Sequence, residues 1–203
     1  MESTLSTIHY RALQEEDVQQ IKSIFEEAYP IRYPQAFYES LKIGWFEQNS
    51  LYSYVAEIID QKTNESKIIG AIICQYRPTT FTDVYSYIRC SYQFEDIFYI
   101  MNIAVIPEYK HLHIGSELIH QIISIPKCKT TCAGIFLHVL ESNEEAIHFY
   151  NKNGFRKLAC IRNFYYIQGQ YKSSYLYCQL INNAEPITAW DTLYYFKWLF
   201  SDS

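Results

Sequence analysis

The chain has 203 residues and a formal net charge of −5, enough for one domain around one sizeable core and short for two. Hydrophobic residues make up 49% and charged residues 19%, an ordinary globular balance, and the acidic excess argues against the basic face that broad nucleic-acid binding requires. Twenty tyrosines and twelve phenylalanines exceed what such a core uses, so either some line a groove or surface, or the composition is simply biased.

Ser6–Ala12 alternates and predicts a first strand. Glu15–Tyr29 carries Val18, Ile21, Ile24 and Phe25 at helical spacing, and Pro30 ends that helix. With prolines at 30 and 34, the stretch Tyr29-Pro30-Ile31-Arg32-Tyr33-Pro34 must be a loop, and Gln35–Phe46 reads as a second helix. Tyr52–Ile59 and Lys67–Tyr76 predict two strands joined by a polar turn. Arg77–Gln93 is an irregular aromatic excursion, and Phe94–Val105 is a long apolar strand closed by Pro107. Ile114–Ile125 predicts a helix with Leu118, Ile119, Ile122 and Ile123 on one face, stopped by Pro126. Gly134–Leu140 is a buried strand. Asn143–Asn153 is a short helix, with Asn143 suited to its N-cap and Gly154 to its left-handed exit. Phe155–Tyr166 and Tyr171–Ile181 form a hairpin about Gln168-Gly169-Gln170. Residues 105–140 thus form a strand–helix–strand crossover behind antiparallel strands. The last segment, with Trp190, Tyr194 and Trp198, predicts an aromatic amphipathic helix.

Six cysteines stand at 74, 90, 128, 132, 160 and 178. Met1–Tyr10 has neither a basic n-region nor an apolar run, so they are expected reduced, on the cytosolic side. Cys128 and Cys132 lack CxxC spacing, and despite His111, His113 and His120 nearby no metal site is expected. No run approaches the roughly 20 apolar residues of a membrane span.

Two segments carry a resemblance. Tyr99–Leu118 resembles the acetyl-CoA motif of the GNAT superfamily, and Phe136–Phe155 resembles its second motif, in the right order and spacing. The nearest resemblance within it is to the Golgi-associated N-terminal acetyltransferases, the NatF family, which are also described as histone acetyltransferases. It spans nearly the whole chain, through the Tyr-Pro-Ile-x-Tyr-Pro loop, both motifs and Asn163-Phe164-Tyr165-Tyr166-Ile167-Gln168-Gly169. The NatE family is next. The resemblance implies a GNAT fold of class α/β (α+β) over residues 1–183, a mixed seven-stranded sheet with splayed fourth and fifth strands and about four helices, followed by a C-terminal tail at 184–203.

Coenzyme A presents a pyrophosphate, which calls for free backbone N–H groups at a helix start, and Lys110, His111, Leu112, His113, Ile114, Gly115 and Ser116 supply such a turn. The superfamily's first glycine is replaced by His113, whose β-carbon is expected to crowd the phosphate or strain the backbone. The pantetheine arm is expected to pair with the strand edge at Ile103, Ala104 and Val105, with Asn143 reaching its amide. A backbone N–H of the same strand is expected to face the developing oxyanion.

An α-ammonium has a pKa of about 7.7–8.0 against about 10.4 for lysine, so a modest base suffices. The resemblance places the bases at Tyr99 and His138, while Tyr150 protonates the departing thiolate. Glu95 and Asp96 lie off that register, and core packing is the competing reading of His138 and Tyr150. The loop Tyr29-Pro30-Ile31-Arg32-Tyr33 and the hairpin Phe164-Tyr165-Tyr166, with Tyr38 and Tyr99, are the implied peptide walls, narrow enough to favour a terminus that begins with Met. The family carries an acid where Arg32 stands here. The partners implied are protein N-termini and, through the tail, a Golgi membrane surface, with the chain active as a monomer. Lysine acetylation of histones on the same fold, or a weakly active binding module, remain the alternatives.

Overall fold

The computed structural model describes residues 7–60, 63–78, 88–89 and 96–186, apart from the side chains of residues 88, 89 and 129. Strand β1 (Ile8–Ala12) leads through a short 3-10 turn into helices α1 (Val18–Ala28) and α2 (Gln35–Ile43). Strands β2 (Trp45–Phe46), β3 (Asn49–Ile59), β4 (Ser66–Pro78), β5 (Ile88–Arg89) and β6 (Asp96–Val105) follow. Then come α3 (Ile114–Ile123), α4 (Pro126–Thr130), β7 (Cys132–Leu140), α5 (Glu144–Lys152), β8 (Arg156–Ile167), β9 (Gln170–Leu180) and β10 (Glu185–Pro186).

The main sheet runs β1-β3-β4-β6-β7-β9-β8, with β2 alongside β3, and β10 pairs separately with β5. Among the described residues only β6 and β7 pair in parallel. On one face Val18, Ile21, Phe25, Phe37 and Leu41 of α1 and α2 pack on Val55, Ala71 and Ile73. On the other, Ile114, Leu118, Ile119 and Ile122 of α3 pack on Ile69, Ile72 and Cys74, beside Tyr150 and Phe155. Each such fully buried side chain contributes roughly 1.5–3 kcal/mol.

The expected splay is present and has a visible cause. The parallel ladder joins Asp96 to Cys132, Phe98 to Ile135 and Tyr99 to Phe136, then stops. Beyond it β6 stays paired with β4 as far as Val105, and β7 with β9 as far as Leu140. The β4 register jumps from Ile73–Asn102 to Cys74–Ile100, so Met101 is a bulge residue just past the last parallel pair, at Tyr99. A bulge bends its strand, and here it turns β6 away from β7.

Three elements differ from the sequence reading. The second helix stops at Ile43 because Gly44 takes a left-handed exit (φ 67°), and Trp45–Phe46 return as a strand. The turn behind it puts Glu47 and Gln48 at φ 46° and 64°, without the Asn-Gly signature that would announce such a hairpin. Pro126 opens α4 instead of merely ending α3, because a proline is well tolerated at a first helical position. The predicted aromatic helix falls outside the described residues. Among the described residues no helix is long and apolar enough to cross a membrane.

One polar cluster locks the sheet's first edge. Arg11 bonds both Asp17 oxygens at 2.6 and 2.9 Å and Glu57 at 2.8 Å, and Ser66 donates to Glu57 at 2.6 Å. Both carboxylates are buried, so the guanidinium is what makes their burial tolerable.

Candidate active site

The splay brings the two predicted bases together. The Tyr99 hydroxyl lies 2.8 Å from His138 Nδ1, where β6 and β7 part. With the imidazole proton on Nε2, Tyr99 donates to Nδ1, and the pair then shares one labile proton. The His138 ring stacks on Phe164 (4.0 Å, 15°), and the Tyr165 hydroxyl donates to the His138 carbonyl at 3.1 Å. Two consecutive residues reach one histidine because β8 is irregular between Ile161 and Tyr165, with Asn163 at φ 56°. Arg77, a diagonal neighbour on β4, places its guanidinium 4.2 Å from the centre of the Tyr99 ring.

The loop after α1 is pinned to β6 by hydroxyls. The Tyr29 hydroxyl donates to the Ile103 carbonyl at 2.7 Å and accepts the Ile103 N–H at 3.0 Å. Asn102 is buried and donates through Nδ2 to the Tyr33 hydroxyl at 2.7 Å. Tyr33 in turn stacks on Phe37 at 4.7 Å. Burial raises the pKa values of Tyr29, Tyr33 and Tyr165, so all three are neutral donors near pH 7. Tyr150 is raised well above its ordinary value, first by burial and then by the neighbouring Tyr29 and Tyr165 hydroxyls. Its ring lies against Phe149 and Phe155 at 5.2 and 5.6 Å. Burial thus keeps the Tyr150 phenol protonated near pH 7.

At the other end of β6, Pro107–Tyr109 form a 3-10 turn and His113 precedes α3. The first N–H of this helix bonded within it is that of Glu117, to the His113 carbonyl, so those of Ile114, Gly115 and Ser116 are presented at its positive end. His113 takes left-handed backbone (φ 60°), the strain expected of a histidine in a glycine's place, and so does its neighbour His111 (φ 64°). Leu112 is exposed, and Lys110 pairs with Glu145 of α5 at 3.0 Å. A β-carbon on Gly115 would come within 3.0 Å of the Phe149 ring, so only glycine lets α3 and α5 approach this closely. Asn143 caps α5 by accepting the Ala146 N–H at 3.1 Å, which leaves its NH2 group for a ligand.

Two predicted peptide-wall residues lie elsewhere. Tyr38 is 1% exposed, packs edge-on against Phe37 and lies under Lys22 of α1 (5.5 Å), because its helical position faces α1 and not the cleft. Tyr166 is two-thirds exposed and packs on Tyr171, outside the cleft (66%, rings 5.0 Å apart). Pro30 is exposed and Ile31 half-buried in the pinned loop. Sequence reasoning had Tyr29 and Phe164 only as members of the two wall segments, and missed Arg77 and Asn102 as site residues. Of these only Asn102 carried a signal, as an amide inside an apolar strand run. Asp96, the carboxylate considered for a base, instead accepts from Tyr76 at 2.5 Å, which with burial pushes the Tyr76 phenol up to about 12.

This arrangement has known counterparts: the model of the Acetyltransferase (GNAT) family matches residues 18–155. The chain belongs to the GNAT acetyltransferase family. GNAT relatives include N-alpha-acetyltransferase 60 of Danio rerio, 28% identical over 91% of this chain and 74% of that protein. Histone acetyltransferase MCC1 of Arabidopsis thaliana is 25% identical over 90% of this chain and 73% of that protein. Arabidopsis thaliana NAA60 in complex with acetyl-CoA superposes with a TM-score of 0.77 at 26% identity, over 87% of this chain and 100% of that one. The same plant protein in complex with a bisubstrate analogue gives a TM-score of 0.74. This GNAT chain is therefore an acetyl-CoA-dependent acetyltransferase. Its residues fit the cofactor: the amides of Ile114–Ser116 suit a pyrophosphate, and the opened edge of β6 suits a peptide-like pantetheine arm.

Proposed function

We propose that this enzyme acetylates the α-amino group of protein N-termini, preferring those that begin with Met. The observation that carries this reading is the Tyr99–His138 pair in an aromatic slot, stacked by Phe164 and faced by the loop that Tyr29 and Tyr33 pin to β6. Such a slot suits a thin extended terminus, and the apolar Pro30–Ile31 stretch suits a methionine side chain. A tyrosine–histidine base matches an ammonium that needs only about 1 kcal/mol to lose its proton at neutral pH.

Acetyl-CoA supplies an acetyl group activated as a thioester. Tyr99 and His138 hold the incoming amine and take its proton, directly or through one water, so that the nitrogen lone pair can form the new C–N bond. A backbone N–H of the opened strand faces the charge that develops on the carbonyl oxygen. Tyr150 delivers a proton to the sulfur as the C–S bond breaks. The ammonium gives up two protons in all, one before attack and one as the C–N bond is completed; one replaces the proton that Tyr150 passes to the sulfur, and the other leaves to solvent.

The test is a paired assay with one peptide beginning Met-Leu or Met-Lys and a control with a blocked α-amine and free internal lysines. Acetylation confined to the free terminus is expected; preference for the blocked peptide moves the activity to lysines. We further propose that residues 184–203 give weak association with a Golgi-type membrane surface through Trp190, Tyr194 and Trp198. A chain truncated after Asn183 should then bind liposomes less than the full chain does, and equal partitioning refutes the idea.

A further inference from the structure

The edge of β6 that the splay opens is already engaged at one residue. Past Tyr99 no strand among the described residues faces this edge, so its N–H and C=O groups are the ones on which the peptide-like pantetheine arm can pair. At Ile103 both groups are held by a single hydroxyl, that of Tyr29, which accepts the N–H at 3.0 Å and donates to the carbonyl at 2.7 Å. A carbonyl oxygen can accept a second hydrogen bond, but an N–H has only one proton to give. An amide carbonyl can therefore take the Ile103 N–H only after the Tyr29 hydroxyl has left it.

Tyr29 is also the first residue of the loop that forms the peptide wall. Its ring meets Phe25 and Tyr33 edge-on at 5.6 and 6.3 Å, and the Tyr33 hydroxyl is held in turn by Asn102 of β6 at 2.7 Å. Moving the Tyr29 hydroxyl off Ile103 therefore changes the anchoring of the wall that the acceptor peptide touches.

We propose that the Tyr29 hydroxyl is a displaceable partner of Ile103, yielding to the cofactor's amide on binding and thereby coupling the cofactor site to the peptide wall. Tyr29 is a positioning residue in this scheme; it moves no proton in the reaction. The coupling is reciprocal, so whatever loosens the hydroxyl's hold tightens cofactor binding, and a bound peptide that favours the displaced loop does the same. The proposal rests on the acetyl-CoA site alone and not on which amine is acetylated.

The experiment is calorimetric titration of coenzyme A into the full chain and into Tyr29→Phe, with hydrogen exchange followed at the Ile103 amide. Phenylalanine keeps the ring packing and removes the competitor. Two hydrogen bonds of ordinary strength then no longer need to be broken, so the variant should bind coenzyme A about tenfold more tightly. In the full chain the Ile103 amide should be protected with and without coenzyme A; in Tyr29→Phe it should be protected only when coenzyme A is present. Equal or weaker binding by a folded Tyr29→Phe overturns the proposal and makes the hydroxyl a fixed tie. Should Tyr29→Phe lose its fold, the unaltered chain still decides, through acceptor peptide. Peptide that leaves the coenzyme A Kd unchanged overturns the coupling, and peptide that shifts it supports the coupling.

Discussion

At the amine end of the cleft the side chains are tied to one another: Tyr99 to His138, Tyr165 to the His138 carbonyl, Asn102 to Tyr33 and Tyr29 to Ile103, with rings filling the space between. At the phosphate end, His111, Leu112 and His113 stand exposed, and recognition falls to the amides of Ile114–Ser116 and to the backbone angles that present them. The first end is a packed network in which each hydroxyl has an assigned partner. The second is a conformation held by a few permissive positions. Side-chain truncation should therefore damage the first end and backbone-directed changes the second.

The largest effect should come from the proton-transfer pair. Tyr99→Phe or His138→Ala should each lower kcat/KM on a free-terminus peptide by about 10²- to 10⁴-fold, the usual worth of general acid–base catalysis, with little change in coenzyme A affinity. Because the two share one hydrogen bond, the double variant should be little worse than the more damaging single one, and steady-state kinetics on all three checks this. Additive losses would mean that they act separately, against the network reading of the amine end.

A lesion remote from both ends gives the contrast its control. Arg11→Ala leaves the buried Asp17 and Glu57 carboxylates without their cation. It should cost about 3 kcal/mol in urea unfolding, the low end for a broken buried pair because the guanidinium is about one-quarter exposed (26%). The activity of the remaining folded enzyme should not change. The Arg11 guanidinium holds the Glu57 carboxyl below its ordinary value, opposed by burial and aided by Ser66. A depressed folded value stabilises fully above the unfolded carboxyl value of 4.5 and is lost as the pH falls through the folded value. Glu57→Gln should therefore flatten the fall in stability below about pH 4.5, measured as urea midpoints at pH 7 and pH 3.5.

How much of this could be read in advance follows the same division. The strand and helix order was legible because apolar alternation and 3.6-residue spacing are local. The turn running into Gly115 and Ser116 was legible because it is a short contiguous pattern. The left-handed strain at His113 was legible because a β-carbon stands where the pattern wants none. The amine end was legible only through the resemblance. That Tyr29 would reach Ile103, 74 positions away, or that Phe164 instead of Tyr166 would stack on His138, depends on sheet register and on an irregularity at Asn163. Tyr38 was misplaced for the reverse reason. A tyrosine near a binding loop looks like a wall residue until the helix phase shows that it faces the core.

Gly115 tests the phosphate end at its tightest point. Gly115→Ala sets a methyl group 3.0 Å from the Phe149 ring, so α3 and α5 must separate or the ring must turn. Overpacking of this kind typically costs about 1–3 kcal/mol, and the displaced amides should weaken coenzyme A binding as well. Phe149→Leu in the same chain should restore much of both losses. A Gly115→Ala variant that binds coenzyme A normally would show that the amides tolerate movement.

The smallest effect belongs to His113. Its backbone sits at φ 60°, ψ 11°, a region that costs an L-residue about 1–2 kcal/mol and a glycine almost nothing. His113→Gly also gives the unfolded chain more freedom, so the net gain should be about 0.5–1 kcal/mol, or a Tm rise of roughly 1–4 °C for a chain of this size. The strain is borne with or without ligand and should appear in stability, while coenzyme A affinity improves by no more than about threefold, through relief of crowding by the β-carbon. Thermal unfolding and titration on the same sample separate the two quantities. If affinity falls instead, the imidazole is itself a phosphate ligand, and the phosphate end uses side chains as the amine end does.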